Sequence, residues 1–164
     1  MSIATTLHHL RTITLEWMII GAVPLLNRFR QRAEWHHSLA DLRQLPDASW
    51  GACVARFLDD RQFVDFLTNY EAHDAFHTLL EYDTTVIGEM RLQAFMIGNG
   101  GASFAGRVLF VLGILLLPEL WPQLRRDLHR GRCSTSVRQW QVPSLLAQNI
   151  HQLRTHIAAR TDQM

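Results

Sequence analysis

The sequence of 164 residues contains no lysine, so all 16 of its basic residues are arginine. A chain without lysine cannot form a Schiff base with a carbonyl substrate, and it lacks the lysine of a Walker-type phosphate-binding loop. A Gly-rich phosphate loop and a Gly-x-Ser-x-Gly nucleophile motif are absent as well. These absences exclude P-loop nucleotide hydrolases and serine hydrolases of the α/β type.

Cysteine is also scarce, with Cys53 and Cys133 as the only two. They are too few and too far apart for a zinc ribbon or a disulfide scaffold, so we expect two small thiols in a reducing compartment. The segment from Met1 to Arg11 lacks the basic-then-apolar pattern of a signal peptide, which predicts that the protein is not secreted. The formal net charge of +1 gives no indication of nucleic-acid binding.

Long hydrophobic runs are missing too. The segments from Trp17 to Leu26 and from Val108 to Leu117 are apolar, but each covers only about half of the roughly 20 residues that span a bilayer. Each segment predicts either a core helix or a helix that lies on a bilayer surface or lines an apolar ligand channel. For the second alternative, the predicted lipid-binding residues are Val108, Leu112, Leu115 and Leu116.

The composition is that of a folded domain, with 48% hydrophobic and 19% charged residues. No segment shows sustained alternation of apolar and polar residues, so we predict an all-α fold, a single-domain bundle of about six to eight helices over residues 1–164. The predicted helices cover residues 3–21, 25–42, 49–58 (capped by Asp47 or Ser49), 61–82, 86–97, 104–117, 119–129 and 143–160. Residues 131–142 are predicted to be irregular.

The informative stretch is His73-Asp74-x-x-His77, within the helix predicted for residues 61–82. His73 and His77 lie one turn apart on one helix face, so their side chains can point at a common atom. The motif continues an apolar stripe at helical spacing, which is formed by Phe63, Phe66, Leu67 and Tyr70. Burying ionisable groups there without partners would cost several kcal/mol, so either a bound cation or a dense hydrogen-bond network is predicted.

Glu89 follows His77 after eleven residues, beyond the turn formed by Asp83, Thr84 and Thr85. A short connection between two helices makes them antiparallel neighbours, so Glu89 is expected to face the histidines. Two imidazoles and one or two carboxylates suit Zn²⁺, Fe²⁺ or Mn²⁺, with room left for water or substrate. The predicted metal ligands are His73, Asp74, His77 and Glu89; no catalytic residue is predicted apart from them. A satisfied polar cluster in the core is the alternative.

The motif His-Asp-x-x-His, followed after eleven residues by Glu, resembles the hallmark of the coenzyme Q (ubiquinone) biosynthesis proteins numbered four in their pathway, the Coq-four family. Tyr70, Glu71 and Gly88 also match its surroundings. Weaker similarities extend the resemblance over about residues 45–155, and they lie at Leu45-Pro46-Asp47, Ala55 to Asp60, Gly131-Arg132, Trp140 and Pro143. The sequence departs from the family after Glu89, where Lys-Trp-x-Glu is replaced by Gln93, Ala94, Phe95 and Met96.

The resemblance implies an all-helical fold and a divalent metal, with Zn²⁺ favoured and Fe²⁺, Mn²⁺ or Co²⁺ as alternatives. It implies a divergent bacterial-type protein of the cytoplasm, peripheral to the inner membrane. The implied function is oxidative removal of the carboxyl group from a polyprenylated hydroxybenzoate ring, or a scaffold that binds an isoprenoid lipid and organises other biosynthetic enzymes without catalysis. The implied partners are a prenyl lipid or quinone intermediate, other enzymes of the biosynthetic pathway, the membrane surface and further copies of the chain. A metallohydrolase is the third alternative, because the motif is similar to the His-Glu-x-x-His zincin helix.

Overall fold

A computed structural model describes residues 6, 9–17, 21, 35–66 and 70–158. These residues form a single helical domain with no β-strand, which confirms the all-α prediction; residues 35–66 and 70–158 contain eight α-helices and one 3-10 helix. The helices are α1 (Leu39–Arg43), α2 (Trp50–Asp59), α3 (Glu71–Leu80), α4 (Val86–Asn99), α5 (Phe104–Leu116), the 3-10 helix Pro118–Leu120, α6 (Trp121–Cys133), α7 (Val142–Leu145) and α8 (Ile150–Ala158). Residues 9–17 are helical as well.

Hydroxyl side chains define where several helices begin. Ser49 accepts a hydrogen bond from the backbone N–H of Ala52 at the start of α2, and Thr85 accepts one from Gly88 at the start of α4. The prediction of one helix over residues 25–42 is wrong at its end, because residues 35–38 are not helical. Ser38 and Asp41 form a capping box there, which starts α1 as a separate helix. The rest of that predicted helix, up to residue 34, lies outside the described residues.

The helix predicted for residues 61–82 begins only at Glu71. Gln62 has a left-handed backbone conformation with φ 60°, and the N–H of Phe63 donates back to the carbonyl of Leu58 at 3.0 Å. This reversal of the chain ends α2 and leaves the side chain of Phe63 about half exposed. The predicted apolar stripe through Phe63 and Phe66 is therefore not part of a helix, and Leu67 lies outside the described residues.

The helix predicted for residues 143–160 is divided into α7 and α8. The backbone between them bonds to the start of α2: the N–H of Trp50 donates to the carbonyl of Gln148 at 2.8 Å, and the N–H of Ile150 donates to the carbonyl of Ala48 at 2.9 Å. These tertiary hydrogen bonds replace the intrahelical ones that a continuous helix would make. In contrast, α6 continues past the predicted end at residue 129, so that the irregular segment begins at Ser134.

Two groups of buried apolar side chains make up the core, and α4 contributes to both. Leu92 and Phe95 of α4 belong to the larger group, with Trp50 of α2, side chains of α3 and α8, and the short helix α7. Met90 and Ala94 belong to the smaller group, whose other members are Leu15, Val86, Leu117, Leu120 and Leu124. Helix α4, which carries Glu89, is thus packed on both sides.

The packing of α4 against α6 is the most extensive helix contact among the described residues. Gly98 and Gly131 lie where the two helices meet. A Cβ atom on Gly98 would overlap the carbonyl of Leu128, and one on Gly131 would overlap the carbonyl of Phe95. The absence of side chains at these two positions lets the backbones touch, and this brings α6 close to the turn between α3 and α4.

Helix α5 is apolar around most of its circumference, yet its only fully buried residues are Gly106 and Gly113. Both glycines pack against side chains of α4. The exposed apolar residues of this helix, the exposed α5 face, are Phe104, Val108, Val111 and Leu115. No single helix in the described ranges is long and apolar enough to cross a bilayer. Helix α5 and the segment Pro118–Cys133 reach that length and composition only together, and they are bent by 104°.

Candidate metal centre

Two consecutive antiparallel helices supply the residues of the centre. Helix α3 carries His73 and His77, and Glu89 lies in the first turn of α4. The helices are joined tightly because Glu81 ends α3 in a left-handed conformation and Thr85 caps α4. One ligand atom from each of the three residues lies within 4.8 Å of the others. The structure therefore brings together three of the four predicted ligands in a group that could hold a metal ion.

The carboxylate of Glu89 lies between the two imidazoles. Its Oε1 is 2.9 Å from Nε2 of His77, and its Oε2 is 3.2 Å from Nε2 of His73. The side chain of His77 is fully buried, whereas those of His73 and Glu89 are 25% and 16% exposed. The centre is therefore closed on the side of His77 and reachable from solvent on the side of His73.

The protonation of His77 shows that these residues fit a cation. Nδ1 of His77 is 3.2 Å from the backbone carbonyl of Tyr82, and a carbonyl only accepts, so Nδ1 carries the proton. In a neutral imidazole Nε2 then holds a lone pair. This buried Nε2 has no hydrogen-bond partner, although a carboxylate oxygen of Glu89 is close to it. A divalent cation could be held by this nitrogen together with Glu89 and His73, because one carboxylate with two imidazoles is a typical zinc donor set.

Without a metal, the charges in the centre balance each other. Burial lowers the pKa of His73, but the carboxylates of Asp74 and Glu89 outweigh burial and raise it to about 9. Burial raises the pKa of Glu89, but His73 and His77 outweigh it and lower the pKa to about 2. At neutral pH the metal-free centre therefore holds a cationic His73 beside an anionic Glu89.

We expect metal binding to release about one proton per ion at pH 7. A metal needs the neutral imidazole, and His73, with its pKa near 9, is protonated at that pH in the metal-free protein. The apparent affinity should therefore fall by about tenfold for each pH unit below 9 and level off above it. Titration calorimetry in buffers with different ionisation enthalpies measures the proton count. Binding at pH 7 without proton release would contradict the role of His73.

Asp74 lies outside this group of three. Its Oδ1 is 3.6 Å from Nδ1 of His73, which is the ring nitrogen that does not face Glu89. A carboxylate in that position stabilises and orients a histidine whose other nitrogen binds a metal. The role of Asp74 as a fourth ligand stays a prediction.

Sequence reasoning missed a buried polar network next to the centre. The hydroxyl of Tyr82 donates to Asp127 at 2.8 Å, Arg91 donates to the same carboxylate at 2.8 Å, and Arg130 donates to the hydroxyl of Tyr82 at 3.2 Å. Burial raises the pKa of the Tyr82 phenol, which keeps the hydroxyl protonated as a donor. A signal was available in the sequence, because Asp127 shares a buried helical stripe with Leu120, Leu124 and Gly131.

An open cleft of about 460 Å³ has His77 among its lining residues but neither His73 nor Glu89. Phe57, which stacks on His77 with the ring planes 19° apart, lines it together with Arg56, Arg61 and Arg154. The predicted lipid-binding residues do not line this cleft. Val108 and Leu115 are exposed on α5, and Leu112 and Leu116 are partly buried against the smaller core group.

Neither a protein-family model nor a curated protein matches the sequence. The fold is similar to a solved crystal structure from Nostoc punctiforme, which is provisionally described as that of a ubiquinone biosynthesis protein. The TM-score is 0.60 at 21% sequence identity, and the match covers 93% of this chain and 81% of the other. At this identity the comparison shows a shared helical fold.

Proposed function

We propose that this protein binds a divalent metal through His73, His77 and Glu89 and serves the biosynthesis of ubiquinone or a related prenyl lipid at the inner face of the cytoplasmic membrane. The observation that carries the proposal is the buried Nε2 of His77, which has no hydrogen-bond partner and faces the carboxylate of Glu89. Zn²⁺ is the favoured ion, with Fe²⁺, Mn²⁺ and Co²⁺ as alternatives. The description of the similar Nostoc protein supports the choice of pathway.

The reaction that we propose is oxidative decarboxylation of a polyprenylated hydroxybenzoate with dioxygen as the two-electron oxidant. The ring carboxyl group leaves as CO2, a hydroxyl group from water takes its place on the ring carbon, and dioxygen is reduced to hydrogen peroxide. A bound divalent ion would supply a Lewis acid that polarises this carboxylate. The partly exposed His73 and Glu89 leave one side of the centre open to a substrate.

Elemental analysis of the purified protein tests metal binding, with about one ion per chain as the expected result. The reaction is tested by incubating the metal-loaded protein with a short-chain prenylated hydroxybenzoate under air and following loss of the carboxyl group by mass spectrometry. Absence of stoichiometric metal would refute the proposal as a whole. Metal binding without turnover would refute the decarboxylation only.

The exposed α5 face favours a second candidate, a lipid-binding scaffold that organises other enzymes without catalysis. Mass spectrometry of an organic extract would detect a bound prenyl lipid. Normal pathway function of a His77→Ala variant, together with a retained lipid, would favour the scaffold over the enzyme. The metallohydrolase alternative gains no support, because Asp74 lies beside Nδ1 of His73, on the far side of the ring from the nitrogen that faces Glu89.

We expect the exposed α5 face to bind membranes. Phe104 and Leu115 are 80% and 71% exposed, and transfer of such a side chain into an apolar phase is worth about 1.5–3 kcal/mol. The double variant Phe104→Ser, Leu115→Ser should therefore lower binding to vesicles that contain anionic phospholipid by at least about tenfold. Co-sedimentation measures this. The matched control is Val64→Ser, because Val64 is 93% exposed and lies outside α5. Equal binding by the double variant and the control would contradict the expectation.

A further inference from the structure

The backbone of Tyr82 holds His77 from two sides. The N–H of Tyr82 donates to the carbonyl of His77 at 3.1 Å, and Nδ1 of His77 donates to the carbonyl of Tyr82 at 3.2 Å. Both contacts depend on Glu81, whose left-handed conformation with φ 63° turns the chain back at the end of α3. The position of the Tyr82 backbone therefore fixes the orientation of the His77 ring.

The side chain of Tyr82 is held in turn by α6. Tyr82 is 3% exposed, and its hydroxyl donates to Asp127 and accepts from Arg130. Asp127 is itself fixed by two hydrogen bonds from Arg91 of α4, at 2.8 and 3.3 Å. Tyr82 thus contacts His77 through its backbone and, through its side chain, the ion pair that Asp127 of α6 forms with Arg91 of α4.

We infer that Tyr82 and Asp127 are positioning residues that hold the ring of His77 in place, with its Nε2 directed towards the metal. The inference rests on the proposed metal binding and extends it to Tyr82, which lies between the ligands in sequence, and to the distant Asp127. Histidine ligands depend on the partner of their second ring nitrogen, and loss of such a partner lowers metal affinity by about 10–100-fold. Here that partner is a backbone carbonyl, so its placement depends on the tyrosine side chain that anchors the same residue.

The test uses Tyr82→Phe and Asp127→Asn in the full-length protein. The first variant removes only the hydroxyl, and the second keeps the size of Asp127 but removes its charge. Asp59→Asn is the matched control, because Asp59 also pairs with an arginine, Arg43, but at an exposed position. Two measurements are made: the dissociation constant for Zn²⁺ by competition with a fluorescent chelator, and the ¹H–¹⁵N NMR signal of the His77 Nδ1 proton in the metal-free protein.

We expect the dissociation constant for Zn²⁺ to rise about tenfold in both variants, and the Nδ1–H signal of His77 to lose intensity as its contact with the carbonyl of Tyr82 weakens. The control should match the parent in both measurements. Parent-like affinity and a parent-like Nδ1–H signal in either folded variant would overturn the positioning role of the residue replaced. If the parent protein itself binds no Zn²⁺, the proposed function fails, and the NMR signal in the metal-free variants still decides the inference.

Discussion

Replacing His77 by alanine is expected to lower the affinity for Zn²⁺ by more than about a hundredfold, since loss of an outer partner of a ligand alone costs about 10–100-fold. His77 is the fully buried member of the group, and its Nε2 is closest to Glu89. The measurement is the metal content after purification, together with the dissociation constant from chelator competition. His36→Ala is the control because His36 is an exposed histidine outside the centre.

A buried histidine also contributes to packing, so a second variant separates metal binding from folding. Glu89→Gln keeps the shape of the side chain and removes the charge that faces both imidazoles. We expect it to lose metal as His77→Ala does, while its helical circular dichroism stays close to that of the parent. Metal retained by both variants would show that the ion binds elsewhere.

Replacing Trp50 by alanine is expected to lower the free energy of unfolding by about 3–5 kcal/mol, the range for truncating a buried large aromatic side chain. Trp50 is fully buried between α2 and α3, with its ring against Phe76 and Trp140. Its indole N–H donates to the carbonyl of Ala75 at 2.9 Å. Denaturation by urea, followed by circular dichroism, measures the change as a lower midpoint at an unchanged slope.

Two tryptophan variants distinguish packing from hydrogen bonding. Trp50→Phe keeps an aromatic ring but loses the indole N–H donor. Because Thr78 still donates to the carbonyl of Ala75, we expect the free energy of unfolding to fall by only about 1 kcal/mol from the lost hydrogen bond. Trp121→Ala removes a half-exposed tryptophan of α6 and should also cost only about 1 kcal/mol. A loss in Trp50→Ala no larger than in Trp121→Ala would contradict the central place of Trp50 in the core.

The parts of the centre that local sequence determines were predictable. The spacing of His73 and His77 puts them on one face of any helix that contains them, and this holds although α3 begins ten residues later than predicted. The turn before α4 carries its own signal in Asp83 and Thr85, so the antiparallel placement of Glu89 followed from the sequence. The incorrect prediction of a helical stripe through Phe63 did not affect the predicted centre, because its three residues lie on α3 and α4.

The parts that depend on distant contacts were not predictable in the same way. The chain reverses after α2 at Gln62, which has a left-handed conformation. Glycine is the residue that usually indicates such a conformation, and it is absent at this position. The break between α7 and α8 is stabilised by hydrogen bonds to the start of α2, which no pattern near residue 148 indicates. The contact of Asp127 with Tyr82 joins α6 to the turn between α3 and α4, 45 residues away in sequence, so spacing along the chain could not suggest this pairing.

The order of the ligands along the chain has a consequence for how the protein matures. His73, His77 and Glu89 lie on consecutive helices, so the loop that a metal would close is short and costs little chain entropy. All three ligands leave the ribosome before α6, which carries Asp127. The complete candidate ligand group is thus present in the chain before α6 is made, whereas the contacts that hold the side chain of Tyr82 form only when the C-terminal third has folded onto α3 and α4.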